Sequence, residues 1–424
     1  MKKIFNELKV IFFQSCVALF CGYLLLVLVN LIPNHSIERN LKISSDIFMK
    51  EGNYPSIYLN GTFLENFSDA DAFAVAYNRS TLNPFYNALN AYNYSFLKPK
   101  AQDCRGVKAL RQTAEKDFKD MHIYNHSQEW HGFQIWLRPL LIRYNLPDIR
   151  FFGYFICFML MLAVCIQICK LCHDEFAFLP FAIGCLYFHY PLESMSILLS
   201  TDICVMFSGC LAVLWAEKHH KEFYNARIFA MIGVAAFFFS MFNMPMITLG
   251  FPIIVWLIVT EKKHFDAEKR ILNTIWYSFS WLIGYSIAVF SKTLIKYLMQ
   301  TQDVIYTFRW YIGAEGKIVT HSERMNNLKR IMTDVLDRSL IEGDLLLLAI
   351  FVILIYVMYR KRNISLNFRK YIPYVLAASY PCIWIYFITI HSNLDWTVFL
   401  FGISIFSIFG ILYDMCKTVS KKKN

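Results

Sequence analysis

The sequence predicts an all-α polytopic membrane protein: about ten transmembrane helices, with a large external loop carrying interfacial helices after the first span. Three observations carry that prediction. Of 424 residues, 57% are hydrophobic and only 17% charged, the balance of a chain immersed in lipid. The apolar residues gather in runs close to the roughly 20 residues with which a helix crosses hydrocarbon while bonding its own backbone. Lys and Arg collect in short segments between alternate runs, as the cytoplasmic loops of membrane proteins do.

A short basic tail with Lys2, Lys3 and Lys9 leads into the first span, Val10–Ile32. Its flanks imitate a signal peptide, but the apolar core is too long and no small-residue cleavage site follows, so it reads as an anchor. Residues 1–32 form this tail and span, 33–150 an external loop domain, and 151–424 a multi-span bundle with a second external loop at about 300–343. The remaining spans fall near Phe151–Leu171, Phe176–Tyr190, Thr201–Trp215, Ile228–Phe242, Pro245–Thr260, Thr274–Met299, Leu345–Tyr359, Tyr371–Ile390 and Trp396–Tyr413. The pair flanking Asn243-Met244-Pro245 is short, and reads as a tight hairpin, a re-entrant segment or one Pro-broken helix. With ten spans every basic cluster lies inside: Lys218, Lys221 and Arg227; Lys262, Lys263, Lys269 and Arg270; Arg360 to Lys370; and Lys421 to Lys423. Losing one crossing would put the later clusters outside, which favours the hairpin and places both termini in the cytoplasm. The net charge of +11 is therefore topology signal, with contact to anionic membrane lipid as its corollary and nucleic-acid binding excluded as its meaning.

Of twelve cysteines, Cys104 alone lies in the long outer loop, so that loop has no internal disulfide framework. Most others lie within spans, where cysteine behaves as a small hydrophobe. Cys169-Lys170-Leu171-Cys172-His173 has the spacing of a covalent haem site, but it faces the cytoplasm, away from the side where such attachment occurs. No Walker loop or dinucleotide-binding glycine pattern is present. His122 and His126 have i, i+4 spacing without a third ligand, so no metal site is assigned.

The outer loop carries the acidic pair Asp69 and Asp71. Ser68 as N-cap with Asp71 three residues on reads as a capping box, and that is one meaning of the two acids. Val107–Met121 reads as a charged amphipathic helix. Trp130–Tyr144 reads as an interfacial one, with Trp130 and Trp136 at headgroup depth and Arg138 and Arg143 near phosphates. Lys292 lies inside the seventh span, where an ammonium is paired, functional or snorkelling; Lys296 reads as snorkelling. Arg309 in the second external loop is a candidate phosphate ligand or a cation stacked on Trp310. His131 and His391, with His189 and His321, fall near the outer membrane edge. Six Asn-x-Ser/Thr sequons dot the outer loop, and the Lys-, Ile-, Phe- and Asn-heavy composition points to a bacterial cytoplasmic membrane, where they carry no meaning.

This order of parts, a short tail, one span, a long external loop with an acidic motif and interfacial helices, then a bundle, resembles the C-type superfamily of integral-membrane glycosyltransferases. That resemblance implies a catalytic acid in the first external loop and a sugar donor carried on polyprenyl phosphate or pyrophosphate. It implies a saccharide or glycoconjugate acceptor outside the cell and no cofactor beyond an optional divalent metal. On it, Asp69 is the expected base for the acceptor hydroxyl, Asp71 orients the acceptor or holds that metal, and His131, Arg138, Lys292, Arg309 and His391 are the expected substrate contacts. A flippase or other transporter of lipid-linked saccharides is the rival expectation, and a polysaccharide polymerase a third. Transporters tend to carry repeats with matching broken helices, and the sequence shows one such break, at Asn243 to Pro245.

Overall fold

The computed structural model describes residues 2–56, 64–78, 81–96, 106–119, 121–125, 128–239, 244–261, 266–299, 320–341, 368–387 and 400–421. The bundle is built from α1 (Lys2–Asn30), α7 (Leu146–Cys172), α8 (Leu179–Tyr187), α9 (Tyr190–Glu193), α10 (Ile197–Lys218), α11 (Asn225–Phe239), α12 (Pro245–Val259) and α13 (Ala267–Leu298). It continues with α14 (His321–Ile341), α15 (Phe368–Ala378), α16 (Tyr380–Phe387) and α17 (Gly402–Lys421). Among the described residues five helical stretches are long and apolar enough to cross a membrane: Ile4–Asn30, Leu146–Cys172, Ile197–Lys218, Glu222–Phe239 and Ala267–Leu298. Pro245–Val259 and Gly402–Met415 are shorter apolar helices.

Side-chain register fixes their directions. Glu7 of α1 pairs with Arg227 at the start of α11, and Gly22 faces Phe238 near its end, so the two helices run parallel. Phe229 stacks on Tyr277, and Phe237 meets Tyr285 edge-on, which makes α13 parallel to them. Trp281 Nε1 donates to Thr248 while Trp256 packs on Tyr277, so α12 runs the other way. The chain therefore reverses direction between Phe239 and Pro245, with α11 and α12 antiparallel; Asn243 lies outside the described residues. α7 and α10 run parallel to each other, with Cys157 against Ser200 and Cys204 at one end, and Cys172 and Glu217 against the last turn of α12 at the other. Lys370, beside both Glu261 and Asp414, brings α15 and α17 to that same end. Every basic cluster with described residues, and both described ends of the chain, thus share one end of the bundle.

Two expected spans are broken. The chain returning from α7 to α10 is α8 followed by α9, with His189 between them at φ +50°. Tyr371–Ile390 splits at Ser379 into α15 and α16. Pro180, Pro191 and Pro381 each sit at a helix start, where their missing N–H costs nothing, and Ser379 donates both its N–H (3.2 Å) and its Oγ (2.7 Å) to the Leu376 carbonyl. The expected span Leu345–Tyr359 lies outside the described residues. α11 and α13 approach closely at Gly233 and Gly284, where a Cβ would strike the Trp281 and Ala230 carbonyl oxygens respectively. Gly284→Ala should cost about 1–3 kcal/mol through this overlap, seen as a lower thermal midpoint of the purified protein. An unchanged midpoint would contradict the packing.

Residues between α1 and α7 form a packed subdomain rather than a surface-lying loop. It comprises α2 (His35–Glu51), α3 (Asn66–Tyr77), α4 (Pro84–Leu89), α5 (Val107–Glu115) and α6 (Gln134–Leu141). Strands β1 (Tyr92–Phe96) and β2 (Met121–Asn125) pair antiparallel, Tyr92 opposite Asn125, so the fold is not purely α. Ile37, Leu41 and Phe48 give α2 one buried face, and they share a core with Phe73, Leu110, Phe133, Leu137, Leu141, Ile197 and Leu198. The amphipathic helix expected to Met121 stops at Glu115, because Lys116 turns left-handed (φ +59°) and the chain doubles back into β2. His122 therefore sits on a strand, not on the helix that i, i+4 metal ligation needs. Trp130 is buried in the bundle core, 3% exposed, with Nε1 on the Ala288 carbonyl at 3.1 Å, and is no headgroup anchor. The Asn side chains of three sequons are also packed away: Asn34 on Tyr77, Asn66 on Glu51, and Asn93 on Asp71.

Candidate functional site

The expected site residues do not converge; they divide around the first turn of α10. Ser196, at the N-cap of α10, makes no cap bond with its own side chain, and the helix's leading N–H groups need acceptors from elsewhere. Asp69 supplies them from α3. Its carboxylate accepts from Ile197 N (3.0 Å to each oxygen), Leu198 N (3.2 Å) and Ser196 Oγ (2.9 Å), and it is 1% exposed. An anion on a helix N-terminus is favourable, and with its oxygens taken up Asp69 positions α10.

Asp71, two residues on, is half-buried and accepts from Asn93 Nδ2 at 3.1 Å. Around the pair stand acids that sequence reading passed over. Glu65, not Ser68, is the N-cap of α3, accepting from Ser68 N and Oγ at 3.2 and 3.0 Å, with its Oε2 buried and without a hydrogen-bond partner among the described residues. Glu193 of α9 is 5% exposed. Arg150 answers this negative charge with two 2.9 Å bonds to Glu51 and one of 2.6 Å to Asn66 Oδ1.

Burial raises all three acids. Desolvation lifts Glu65 to about 8 and Asp69 to about 6, the latter held down by the Ile197 amide and Arg150, and it pushes Glu193 well above the carboxylate range. Asp69 is thus mostly ionised and Glu65 mostly protonated at neutral pH. A carboxyl that holds its proton more tightly folded than unfolded favours the fold at low pH. That contribution is lost as pH rises through about 6 for Asp69 and about 8 for Glu65. The thermal midpoint should therefore fall between pH 5 and pH 9, and the fall should shrink in Glu65→Gln. A midpoint that rises with pH, or an undiminished fall in the variant, would contradict this assignment.

The second group lies where the subdomain meets the C-terminal end of α13. Lys292, 1% exposed, donates to the Leu89 carbonyl at the end of α4 (2.8 Å) and lies 4.9 Å from the Trp130 ring centre. Lys296 is 2% exposed, so it does not snorkel. Glu129 is buried nearby, raised to about 8 by desolvation against the opposing charge of Lys296 and, more weakly, of Lys292; Asp202 adds to the rise. Asp202, a lone acid five residues into an apolar helix, was the sequence signal for this group. His131, 1% exposed at φ +54°, follows Glu129 and Trp130 in the same turn and meets Phe133 edge-on.

Arg138 belongs to neither group. Fully buried, it donates to the carbonyls of Val29 (3.0 Å), Ile32 (2.7 Å) and Ala76, and to Asn34 Oδ1, gathering the C-terminal ends of α1 and α3. The expected phosphate contact is instead a helix-end clamp, because a cation is stabilised by the free carbonyls of two helix C-termini. His321 bonds Tyr386 Oη, far along the chain from these groups. Arg309 and His391 lie outside the described residues. Among the described residues no cluster of three or more His, Cys, Asp or Glu has metal-binding geometry.

The fold and its apolar helices define the class, a helical membrane protein with a packed membrane-side subdomain. No protein-family model, curated protein or solved structure matches the chain.

Proposed function

We propose that the protein transfers a sugar from a polyprenyl-phosphate-linked donor to an acceptor outside the cytoplasm. The observation that carries this reading is the division of labour between adjacent acids: Asp69 is committed to the first turn of α10, while Asp71 stays accessible at the edge of the subdomain. In this reading Asp71 takes the proton from the acceptor hydroxyl as that oxygen attacks the anomeric carbon and the lipid phosphate departs. The role of base expected of Asp69 thereby moves two residues along, since a carboxylate 1% exposed, with its oxygens taken up by two amides and a hydroxyl, cannot reach an acceptor hydroxyl. Lys292, expected to contact the donor, and Lys296 are 1% and 2% exposed in a group separate from Asp71, so this reading assigns the phosphate contact to neither. The purified chain in proteoliposomes, given radiolabelled lipid-linked sugar and a saccharide acceptor, should release labelled acceptor; release equal to protein-free liposomes would refute the reading.

One observation favours translocation of lipid-linked saccharides instead. The two interrupted segments, α8–α9 and α15–α16, flank the same helix: Gly184 lies against Phe406, and Ser404 Oγ bonds the Ala378 carbonyl. Broken helices on either side of a shared partner are the form transporters use. The same vesicles distinguish the two, because a translocase moves labelled lipid to the other leaflet without transferring its sugar.

A further inference from the structure

A cavity of about 1160 Å³ opens between α1, α7, α10 and α11, above the roughly 300–1,000 Å³ usual for small-molecule sites. It exists because α10 presents small residues at every fourth position, Ser200, Cys204, Ser208 and Ala212, opposite Gly153 of α7 and Ala235 of α11. From Ser200 to Trp215 the lining follows α10 for about 22 Å, most of the ~30 Å hydrocarbon thickness. Such a shape fits hydrocarbon chains, and its polar groups are few and unevenly placed.

The cations are all at one mouth, the end where the basic clusters gather. Lys221 and Arg227 line that mouth, and no Lys or Arg lines the rest. Arg227 is neutralised by Glu7 through bonds of 2.6 and 2.9 Å, whereas Lys221 rests on the Trp215 ring at 5.2 Å and no carboxylate pairs with it among the described residues. The lining also includes Gln14, whose Oε1 is buried without a hydrogen-bond partner among the described residues. Gln14 stands seven residues above Glu7 on α1, about 10 Å deeper than the charged mouth. Headgroup regions occupy roughly 5–8 Å of each leaflet, so this amide lies near the depth of a phospholipid's ester oxygens. The two ends of an amide exchange by rotation, and an N–H turned inward there would meet an ester carbonyl.

We propose that this cavity holds one anionic, ester-linked phospholipid from the leaflet at the basic end, with its phosphate at Lys221 and an ester carbonyl at Gln14. The occupant is distinct from the sugar donor above: it enters from the opposite end of the bundle, and Gln14 selects for an ester that polyprenyl phosphates lack. Its role is to fill the seam between α1 and the rest of the bundle.

Native mass spectrometry of the full-length protein, stripped of lipid and then given phosphatidylglycerol or phosphatidylcholine with the same acyl chains, tests this. Wild type should retain phosphatidylglycerol preferentially. Lys221→Gln, at an exposed position that does not threaten folding, should reduce that retention about fivefold and leave phosphatidylcholine unaffected. Gln14→Leu should weaken the ester lipids and leave an ether-linked phosphatidylglycerol unchanged. Equal retention of both headgroups, or indifference of both variants, would overturn the proposal. Displacement of phosphatidylglycerol by polyprenyl phosphate, undiminished in Gln14→Leu, would assign the cavity to an isoprenoid instead and overturn it as well. Loss of sugar transfer in these assays is not a readout, so failure of the transferase reading leaves the result intact.

Discussion

Asp71→Asn is expected to reduce sugar transfer by about 10²–10⁴-fold, the usual contribution of a positioned general base, while the thermal midpoint stays close to wild type. The side chain is half-buried, and Asn93 Nδ2 can still donate to an amide oxygen at the same position, so the fold loses little. Asp69→Asn should behave in the opposite way. An amide nitrogen facing Ile197 N or Leu198 N sets donor against donor, and the lost charge removes the favourable contact with the helix N-terminus, together costing on the order of 1–2 kcal/mol. Activity in that variant should fall with the folded fraction. Paired transfer assays and thermal scans separate the two acids. Full activity in Asp71→Asn, or a greater loss of turnover per folded molecule in Asp69→Asn, would reverse the assignment.

The largest effect on stability is expected from Arg138→Met. Methionine replaces much of the side chain's length but none of its donors, and removes the guanidinium from the Val29, Ile32 and Ala76 carbonyls, of which Val29 keeps the Ile32 N–H. Each carbonyl that loses its donor costs about 1–3 kcal/mol, so a loss of roughly 2–6 kcal/mol is expected, with poor recovery of folded protein from membranes. Arg138→Lys should give only partial rescue, because one ammonium cannot reach three carbonyls that a planar fork spans. Thermal midpoints in detergent within a degree of wild type for both variants would show that the clamp contributes nothing.

What was legible in the sequence was what hydrocarbon enforces. The apolar runs, the basic segments gathered at one end and the reversal between α11 and α12 follow from the cost of bare backbone and charge in lipid, and single residues report them. The subdomain between α1 and α7 was less legible, since its determinants are partners distant in sequence. Nothing local marks Arg138 as a clamp: its acceptors are backbone carbonyls 62 and 109 residues away, as at Ala76 and Val29. The capping pattern around Ser68 was correctly placed at the start of a helix, but Glu65 holds the cap, and Asp69 serves a helix 128 residues further on. Pattern reading assigns a cap to its own helix and has no means of assigning it to another. Trp130 and Lys296 differ from expectation for a related reason: both were read against the bilayer, whereas Trp130 packs into the bundle core on Phe238 and Ala288 and Lys296 is buried beside Glu129. Lys292, a charge inside an apolar run, stands out in the sequence and does lie in a polar group; Asp202 is an equally odd charge that the sequence reading passes over.

The bond between Asp69 and the first turn of α10 also sets a timetable for biogenesis. A ribosome adds about 5–20 residues per second, so the 127 residues from Asp69 to Ser196 take roughly 6–25 s to synthesise. During that interval the subdomain lacks Ile197 and Leu198, which complete its core, and the amides that take up the Asp69 charge. The subdomain matures only after α7 and the broken α8–α9 passage have entered the membrane. Until then its incomplete core makes it a client for chaperones and proteases.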